Sequence, residues 1–146
     1  MKNVYIITGA PGSGKSTYVR NRKAPNDLVI DLDYICAALQ QDTNVHNNHD
    51  AVYQAAVCMR DSLYPFIAMR YGNWNDCWII TGEARRDKLK ELAKKVGATD
   101  IIEMETALTE ILNRIDNDQS RVLRAEDFKE MAKQWHALHD RPPLYE

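Results

Sequence analysis

The sequence predicts an α/β fold with a mostly parallel sheet flanked by helices. Short apolar runs of strand length alternate along the chain with stretches whose apolar residues recur at helical spacing. With 146 residues, 45% hydrophobic and 27% charged, the chain has the size and composition of one globular domain, residues 1–146. A formal net charge of -2 does not mark a nucleic-acid binder, although it permits a local basic groove.

The first strand is predicted at residues 4–7, and a glycine-rich motif follows it directly. Residues 9–16, GAPGSGKS, match G-x-x-x-x-G-K-[ST] between a strand and a helix. In that context glycines let backbone N–H groups face phosphate oxygens, and the helix adds its positive N-terminal end. We expect Lys15 to reach the β- and γ-phosphates and the Ser16 hydroxyl to ligate Mg²⁺. The alternative is a glycine turn that binds nothing. The predicted nucleotide-binding residues are Gly9, Pro11, Gly12, Ser13, Gly14, Lys15, Ser16 and Thr17.

A second strand is predicted at residues 28–30, ending at Asp31-Leu32-Asp33, with a helix at 34–41. The carboxyl ends of parallel strands line the ligand crevice, so both aspartates should face a bound substrate. Strand alternation would place Asp31 and Asp33 on one side and turn Leu32 into packing. Asp33 is alternatively a helix N-cap, and the two roles do not exclude each other.

The later elements are predicted from periodicity and from helix breakers. They are a polar loop at 41–50, a helix from Asp50 that Pro65 kinks or divides, a strand at 77–81, a helix closed by Gly97, a strand at 101–102, and helices around Ile111 and Trp135. His46 and His49 in the polar loop suggest either a metal or, as we favour, two solvent-exposed side chains. The three cysteines lack metal or redox spacing and are expected to be reduced, buried thiols.

Together these features resemble the small P-loop kinases, the polynucleotide 5′-kinase and adenylate kinase-like group of P-loop NTPases that phages often encode. The sequence has no N-K-x-D guanine-reading motif, and Gly82-Glu83-Ala84-Arg85-Arg86 follows the strand at 77–81 where motor ATPases carry Asp-Glu. The resemblance implies a three-layer P-loop NTPase fold, adenylate-kinase-like with a helical lid near 113–125. It also implies that Asp33 is the base for the acceptor hydroxyl, with Asp31 sharing that task or holding a Mg²⁺-bound water.

The same resemblance assigns roles to arginines. Small kinases carry an R-x(6–8)-R pattern in the lid, which Arg114 and Arg121 satisfy, and guanidinium groups there neutralise charge on the transferred phosphoryl group. The alternative is an exposed pair between Arg114 and Glu110. Arg85 and Arg86 are candidates for the acceptor's phosphate, or belong to a solvated helix face.

We therefore expect an enzyme that uses ATP and Mg²⁺ to phosphorylate a hydroxyl, most simply a polynucleotide 5′ end. The first alternative is a small-molecule kinase acting on a nucleoside, nucleotide, sugar acid or antibiotic. Convergence of Arg60, Arg70, Arg85 and Arg86 beside Asp33 would favour the polynucleotide. The second alternative is a nucleotide-binding regulator without catalysis. The chain shows no signal peptide and no apolar run near ~18 residues, so a cytoplasmic protein without a membrane partner is expected.

Overall fold

The structure is a computed structural model that describes residues 1–140. It contains four strands and six α-helices in the predicted order, and one 3-10 helix precedes the last α-helix. The elements are β1 (Val4–Thr8), α1 (Lys15–Arg22), β2 (Leu28–Asp31), α2 (Leu32–Gln40), α3 (Asp50–Ala68), β3 (Cys77–Thr81), α4 (Arg86–Val96), β4 (Asp100–Glu103), α5 (Leu108–Asp116), the 3-10 helix (Gln119–Arg124) and α6 (Ala125–His139).

The four strands form one sheet in the order β2-β3-β1-β4, and every pairing is parallel. The prediction of an α/β fold with a mostly parallel sheet is thus confirmed. Parallel sheets need cover on both faces, which explains the nearly continuous apolar runs of the central strands. Successive side chains of β1 enter different clusters: Ile6 packs with Ile79 and Ile67 on one face, and Ile7 packs with Val19 on the other.

A third apolar cluster packs α5 and α6 against the loops at the carboxyl ends of the strands, beside the cleft described below. Ile111 and Ile115 of α5 pack with Phe128, Ala132 and Trp135 of α6. The same cluster includes Ala10 and Ala84, which follow the carboxyl ends of β1 and β3. The α5–α6 pair is therefore held against the carboxyl-end edge of the sheet, where it forms a wall above the strand ends.

Three local predictions need correction. α2 begins at Leu32, so Asp33 lies in the helix, and strand alternation does not apply to it. The N-cap is Asp31, whose side chain accepts from the Asp33 backbone N–H. Pro65 does not divide α3, because it sits in the last turn of an uninterrupted helix. The predicted cap at Gly97 is confirmed, since this residue closes α4 in the left-handed conformation with φ 65°.

The cysteines are all free, and Cys36 and Cys77 are buried as expected, whereas Cys58 is exposed. Cys58 lies on α3, a helix with one face on the core and the other in solvent, and it falls on the solvent face. Among residues 1–140, none of the helices combines the length and the apolar character needed to cross a bilayer.

Candidate functional site

A cleft of about 1260 Å³ opens at the carboxyl ends of β1, β2 and β3. Residues 10–18, 31–33 and 80–85 form its floor, and side chains of α3 and α6 form its walls. This is the place where parallel α/β sheets bind ligands, because the loops leaving adjacent strands diverge there. Most of the residues predicted as functional from the sequence line this one cleft.

The 9–16 loop makes a tight turn that only glycine permits at two positions. Gly12 and Gly14 have φ of 80° and 96°, and Gly14 is the N-cap of α1. The first hydrogen bond of α1 runs from the Tyr18 N–H to the Gly14 carbonyl. The N–H groups of residues 15–17 therefore have no acceptor within the helix, and no side chain caps that end.

Close packing under the loop explains the first glycine. A Cβ added to Gly9 would lie 2.4 Å from Ser13 Oγ and 3.0 Å from Met104 Cβ. Gly9 itself does not line the cleft and acts by letting the loop backbone approach Ser13. Ser13 Oγ is buried and has no hydrogen-bond partner among the described residues, which is costly for a hydroxyl.

Side chains from the α5 region clamp the loop from outside. Thr106 Oγ1 donates to the Ser13 carbonyl at 3.1 Å, and Arg114 Nη1 donates to the Gly12 carbonyl at 3.1 Å. Lys15 folds back over the loop, where its ammonium donates to the carbonyls of Gly9 and Ala10. The loop is thus held by contacts that leave the N–H groups of the α1 N-terminus free.

Burial lowers the pKa of the Lys15 ammonium to about 8, while the negative charges of Asp33 and Asp31 act in the opposite direction. Burial, together with the Asp33 charge, raises the pKa of the Asp31 carboxyl to about 6. Asp31 is 7% exposed. The cleft therefore brings together the buried Lys15 and Asp31 and the half-exposed Asp33, and pKa shifts such as those of Lys15 and Asp31 are common at functional sites.

Asp33 is held by residues that the sequence did not single out for this purpose. Asn48 Nδ2 donates to Asp33 Oδ1 at 2.9 Å, and His46 Nδ1 lies 3.8 Å from Asp33 Oδ2. His46 is not the solvent-exposed side chain we favoured: only 17% of it is exposed, and its ring meets Phe128 edge-on at 5.9 Å. Among residues 1–140, no group of three or more His, Cys, Asp or Glu is arranged to hold a metal.

The two predicted lid arginines differ in their surroundings. Arg114 forms the pair expected on a helix surface, with Nη2 2.6 Å from Glu110 Oε1, and contacts the loop as well. Arg121 follows α5 on the 3-10 helix, is 15% exposed, and pairs with Asp118 at 2.7 Å. Its guanidinium also lies over Phe128 at 5.2 Å. Both arginines line the cleft.

The other arginines converge only in part. Arg60 and Arg85 line the cleft, and Arg85 is bound to Glu83, with Nη2 2.7 Å from Oε1. Arg86 starts α4 outside the cleft lining, so its expected place beside the substrate is not found. Arg70 donates to the carbonyls of residues 67, 96 and 97, where it joins α3 to the end of α4. Of the four arginines whose convergence beside Asp33 would favour a polynucleotide, Arg60 and Arg85 line the cleft, and Arg70 and Arg86 do not.

The cleft is nevertheless more basic than the chain as a whole. Six lysine or arginine side chains line it, against four carboxylates. The cations are Lys15, Arg20, Arg60, Arg85, Arg114 and Arg121, and the carboxylates are Asp31, Asp33, Glu83 and Asp118. A chain with a net charge of -2 thus concentrates positive charge at one place, which attracts anionic ligands.

Solved structures with the same fold include chains from two structures of Pnkp1/Rnl/Hen1 complexes. A chain in "Structure of the Pnkp1/Rnl/Hen1 RNA repair complex" matches 94% of this chain with a TM-score of 0.66 and 18% identity. A chain in "Structure of Pnkp1/Rnl/Hen1 complex" matches 77% with a TM-score of 0.56 and 22% identity. This chain spans 44% and 39% of their respective lengths. No protein-family model and no curated protein matches the sequence. At these identities the likeness shows the fold alone.

Proposed function

We propose that the chain is a P-loop phosphotransferase that moves the γ-phosphoryl group of ATP to a hydroxyl, with a polynucleotide 5′ end as the favoured acceptor. The observation that carries this proposal is the shared cleft. Lys15 at the glycine loop and Asp33 in the first turn of α2 line it together, close enough for the Asp33 charge to oppose the fall in the Lys15 pKa that burial causes. One group suits the donor's phosphates, and the other suits an acceptor hydroxyl.

The loop fits a polyphosphate. Its glycine turns and the uncapped N-terminus of α1 offer N–H donors, and the buried Ser13 Oγ has no hydrogen-bond partner within residues 1–140. Lys15 is charged below pH about 8, and in the described part of the chain its ammonium donates only to loop carbonyls, which phosphate oxygens can replace as acceptors. A regulator that binds a nucleotide would use these same features, so they support donor binding but do not establish catalysis.

Mg²⁺ also fits the oxygen groups at this place. Ser16 and Asp31 both line the cleft, and the Ser16 hydroxyl and, through a water, the Asp31 carboxylate would hold it together with the donor's phosphates. Bound there, it would supply neutralising charge beside the β- and γ-phosphates.

In the proposed reaction, Asp33 orients the acceptor hydroxyl and takes its proton. The hydroxyl oxygen forms a bond to the γ-phosphorus, the bond from this phosphorus to the β–γ bridging oxygen breaks, and the electron pair leaves with ADP. Lys15 stays with the phosphate oxygens of the donor. Arg114 and Arg121 move from Glu110 and Asp118 towards the transferred group, where a guanidinium binds oxygens in pairs.

Two observations favour a nucleic-acid acceptor over a small molecule. The cleft carries an excess of positive charge, as a phosphodiester chain requires. One of the structures that share the fold belongs, by its title, to an RNA repair complex. Arg70 and Arg86 do not line the cleft, which favours a small acceptor, so a small-molecule kinase is the second candidate.

The test is phosphate transfer from γ-labelled ATP with Mg²⁺ to a panel of 5′-hydroxyl oligonucleotides, nucleosides and nucleoside monophosphates. Label is expected on the oligonucleotides. Label only on the small acceptors would make the chain a small-molecule kinase, and label on none, with ATP binding intact, would make it a regulator.

Variants assign the roles in the same assay. Lys15→Ala should abolish transfer, and Asp33→Asn should lower kcat by ~10²–10⁴-fold while ATP still binds. The matched controls are Lys90→Ala and Asp87→Asn, which change exposed residues of α4 outside the cleft.

A further inference from the structure

The loop at residues 41–49 has no role in the reaction above, yet it contacts the proposed base directly. Asn48 Nδ2 donates to Asp33 Oδ1 at 2.9 Å, which leaves Oδ2 as the second oxygen. Because the terminal torsion of an aspartate is broad, a hydrogen bond to one oxygen decides where the other points. A competing nitrogen lies nearby, since His46 Nδ1 is 3.8 Å from Oδ2 and has no hydrogen-bond partner among the described residues.

The loop is ordered by its own side chains, although it contains no helix or strand. Asp42 Oδ1 accepts from the Asn44 N–H at 2.9 Å, and Asn44 Oδ1 accepts from the His46 N–H at 3.0 Å. Asn47 Nδ2 closes the arrangement by donating to Asp42 Oδ2 at 3.0 Å. Such side-chain caps replace the missing backbone ladder and give a loop one conformation. Asn48 is thus placed before any ligand arrives.

Contacts on both sides hold the loop in position. On the α2 side, Gln40 Nε2 donates to the Asn47 carbonyl at 2.9 Å, and Gln40 Oε1 accepts from the His49 N–H at 2.7 Å. On the other side, Asn44 Nδ2 donates to the Ser120 carbonyl at 2.8 Å. Arg124 Nη1 donates to the Asn48 carbonyl, also at 2.8 Å. Residue 48 is therefore clamped between α2 and the 3-10 helix.

The geometry points to Asn48 as the positioning residue of the acceptor base. Its amide holds Oδ1 of Asp33, which leaves Oδ2, 3.8 Å from His46 Nδ1, as the oxygen that faces the acceptor hydroxyl. This inference rests on the proposed function. It also links the two halves of the site, because the backbone of Asn48 is bound by Arg124 on the same 3-10 helix that carries Arg121.

The experiment is a double-mutant cycle in the oligonucleotide kinase assay. Asn48→Ala should lower kcat by between about 10-fold and 100-fold, the range for losing one hydrogen bond to a charged group, and leave the KM for ATP unchanged. In an Asp33→Asn background the same change should have no further effect, because Asn48 acts through that carboxylate. Asn73→Ala, at an exposed residue ahead of β3, is the matched control.

Two results would overturn the inference: an unchanged kcat in Asn48→Ala, or an equal loss in both backgrounds, which would indicate a general structural effect. If the wild-type chain transfers no phosphate, the proposed function fails, and the contact is still tested by urea unfolding. Asn48→Asp removes the donor and should lower the unfolding midpoint. Adding Asp33→Asn restores a donor–acceptor pair and should raise the midpoint again, and no recovery would overturn the contact itself.

Discussion

Replacing Asp31 with asparagine should stabilise the fold at neutral pH. Asp31 is 7% exposed, and burial together with the charge of Asp33 raises its pKa from 3.8 to about 6. The folded chain therefore disfavours the carboxylate relative to the unfolded chain. Asparagine keeps the oxygen that accepts from the Asp33 backbone N–H at 3.0 Å, and it carries no charge.

The size of the effect follows from the pKa difference. A shift of about 2 units at about 1.4 kcal/mol per unit gives an upper limit of about 3 kcal/mol. Below pH 3.8 the Asp31 carboxyl is protonated in both the folded and the unfolded chain, so its burial carries no charge penalty. The penalty grows as the pH rises towards 6 and is constant above that. The gain from Asp31→Asn should therefore be largest at pH 7.5 and fall to about a third of that at pH 4.5.

The assay is urea unfolding of wild type and variant at both pH values. Asp27→Asn is the control with the opposite sign. Burial alone would raise the pKa of Asp27, but hydrogen bonds from the Trp78 indole and two backbone N–H groups outweigh it and lower the pKa. Asparagine would turn an amide NH₂ towards those donors, and a loss of about 1–3 kcal/mol is expected. An Asp31→Asn variant no more stable than wild type, or a gain independent of pH, refutes the reasoning.

Three further predictions concern the loop and the lid. ATP affinity should fall by up to about tenfold per pH unit above pH 8, as Lys15 loses its proton, and calorimetry showing a flat affinity up to pH 10 would contradict this. Gly9→Ala should destabilise the chain by about 1–3 kcal/mol in thermal unfolding, and adding Ser13→Ala should recover part of the loss because the clashing Oγ is removed. Arg121→Ala should lower kcat by ~10³-fold with little change in ATP binding, whereas an equal loss in both would indicate a role in ATP binding.

Local sequence patterns predicted the elements well. β3 was predicted at its observed bounds, and the cap at Gly97 followed from a glycine after the last apolar residue of a helical stripe. The start of α2 was missed by two residues, because Asp31 both ends a strand and caps the helix. Periodicity does not decide which of two nearby aspartates accepts the backbone N–H, since both have the same side chain.

Part of the candidate site could likewise be predicted from local sequence patterns, and part could not. The glycine loop could be predicted because its chemistry is written in eight consecutive residues, and Asp33 because it follows a strand end. Asn48 and His46 were not predicted to contact Asp33. The Asn, Asp and His residues of their loop favour hydrogen bonds between side chains and nearby backbone groups. Their spacing does not indicate which distant residue they contact. The sequence left open whether Arg70 lies at the cleft, and the structure shows that it joins α3 to the end of α4 instead.

By itself, the sequence determined the order of strands and helices, the glycine conformations of the loop and the supply of cations and carboxylates. These depend on residues a few positions apart, which share one helix turn, one strand or one turn. Only the tertiary structure decided which polar groups meet. Arg124 reaches the carbonyl of Asn48 across 76 positions of sequence, and Asn48 then holds Asp33. Such contacts depend on how α5 and α6 pack on the ends of the strands, and no local spacing records that packing.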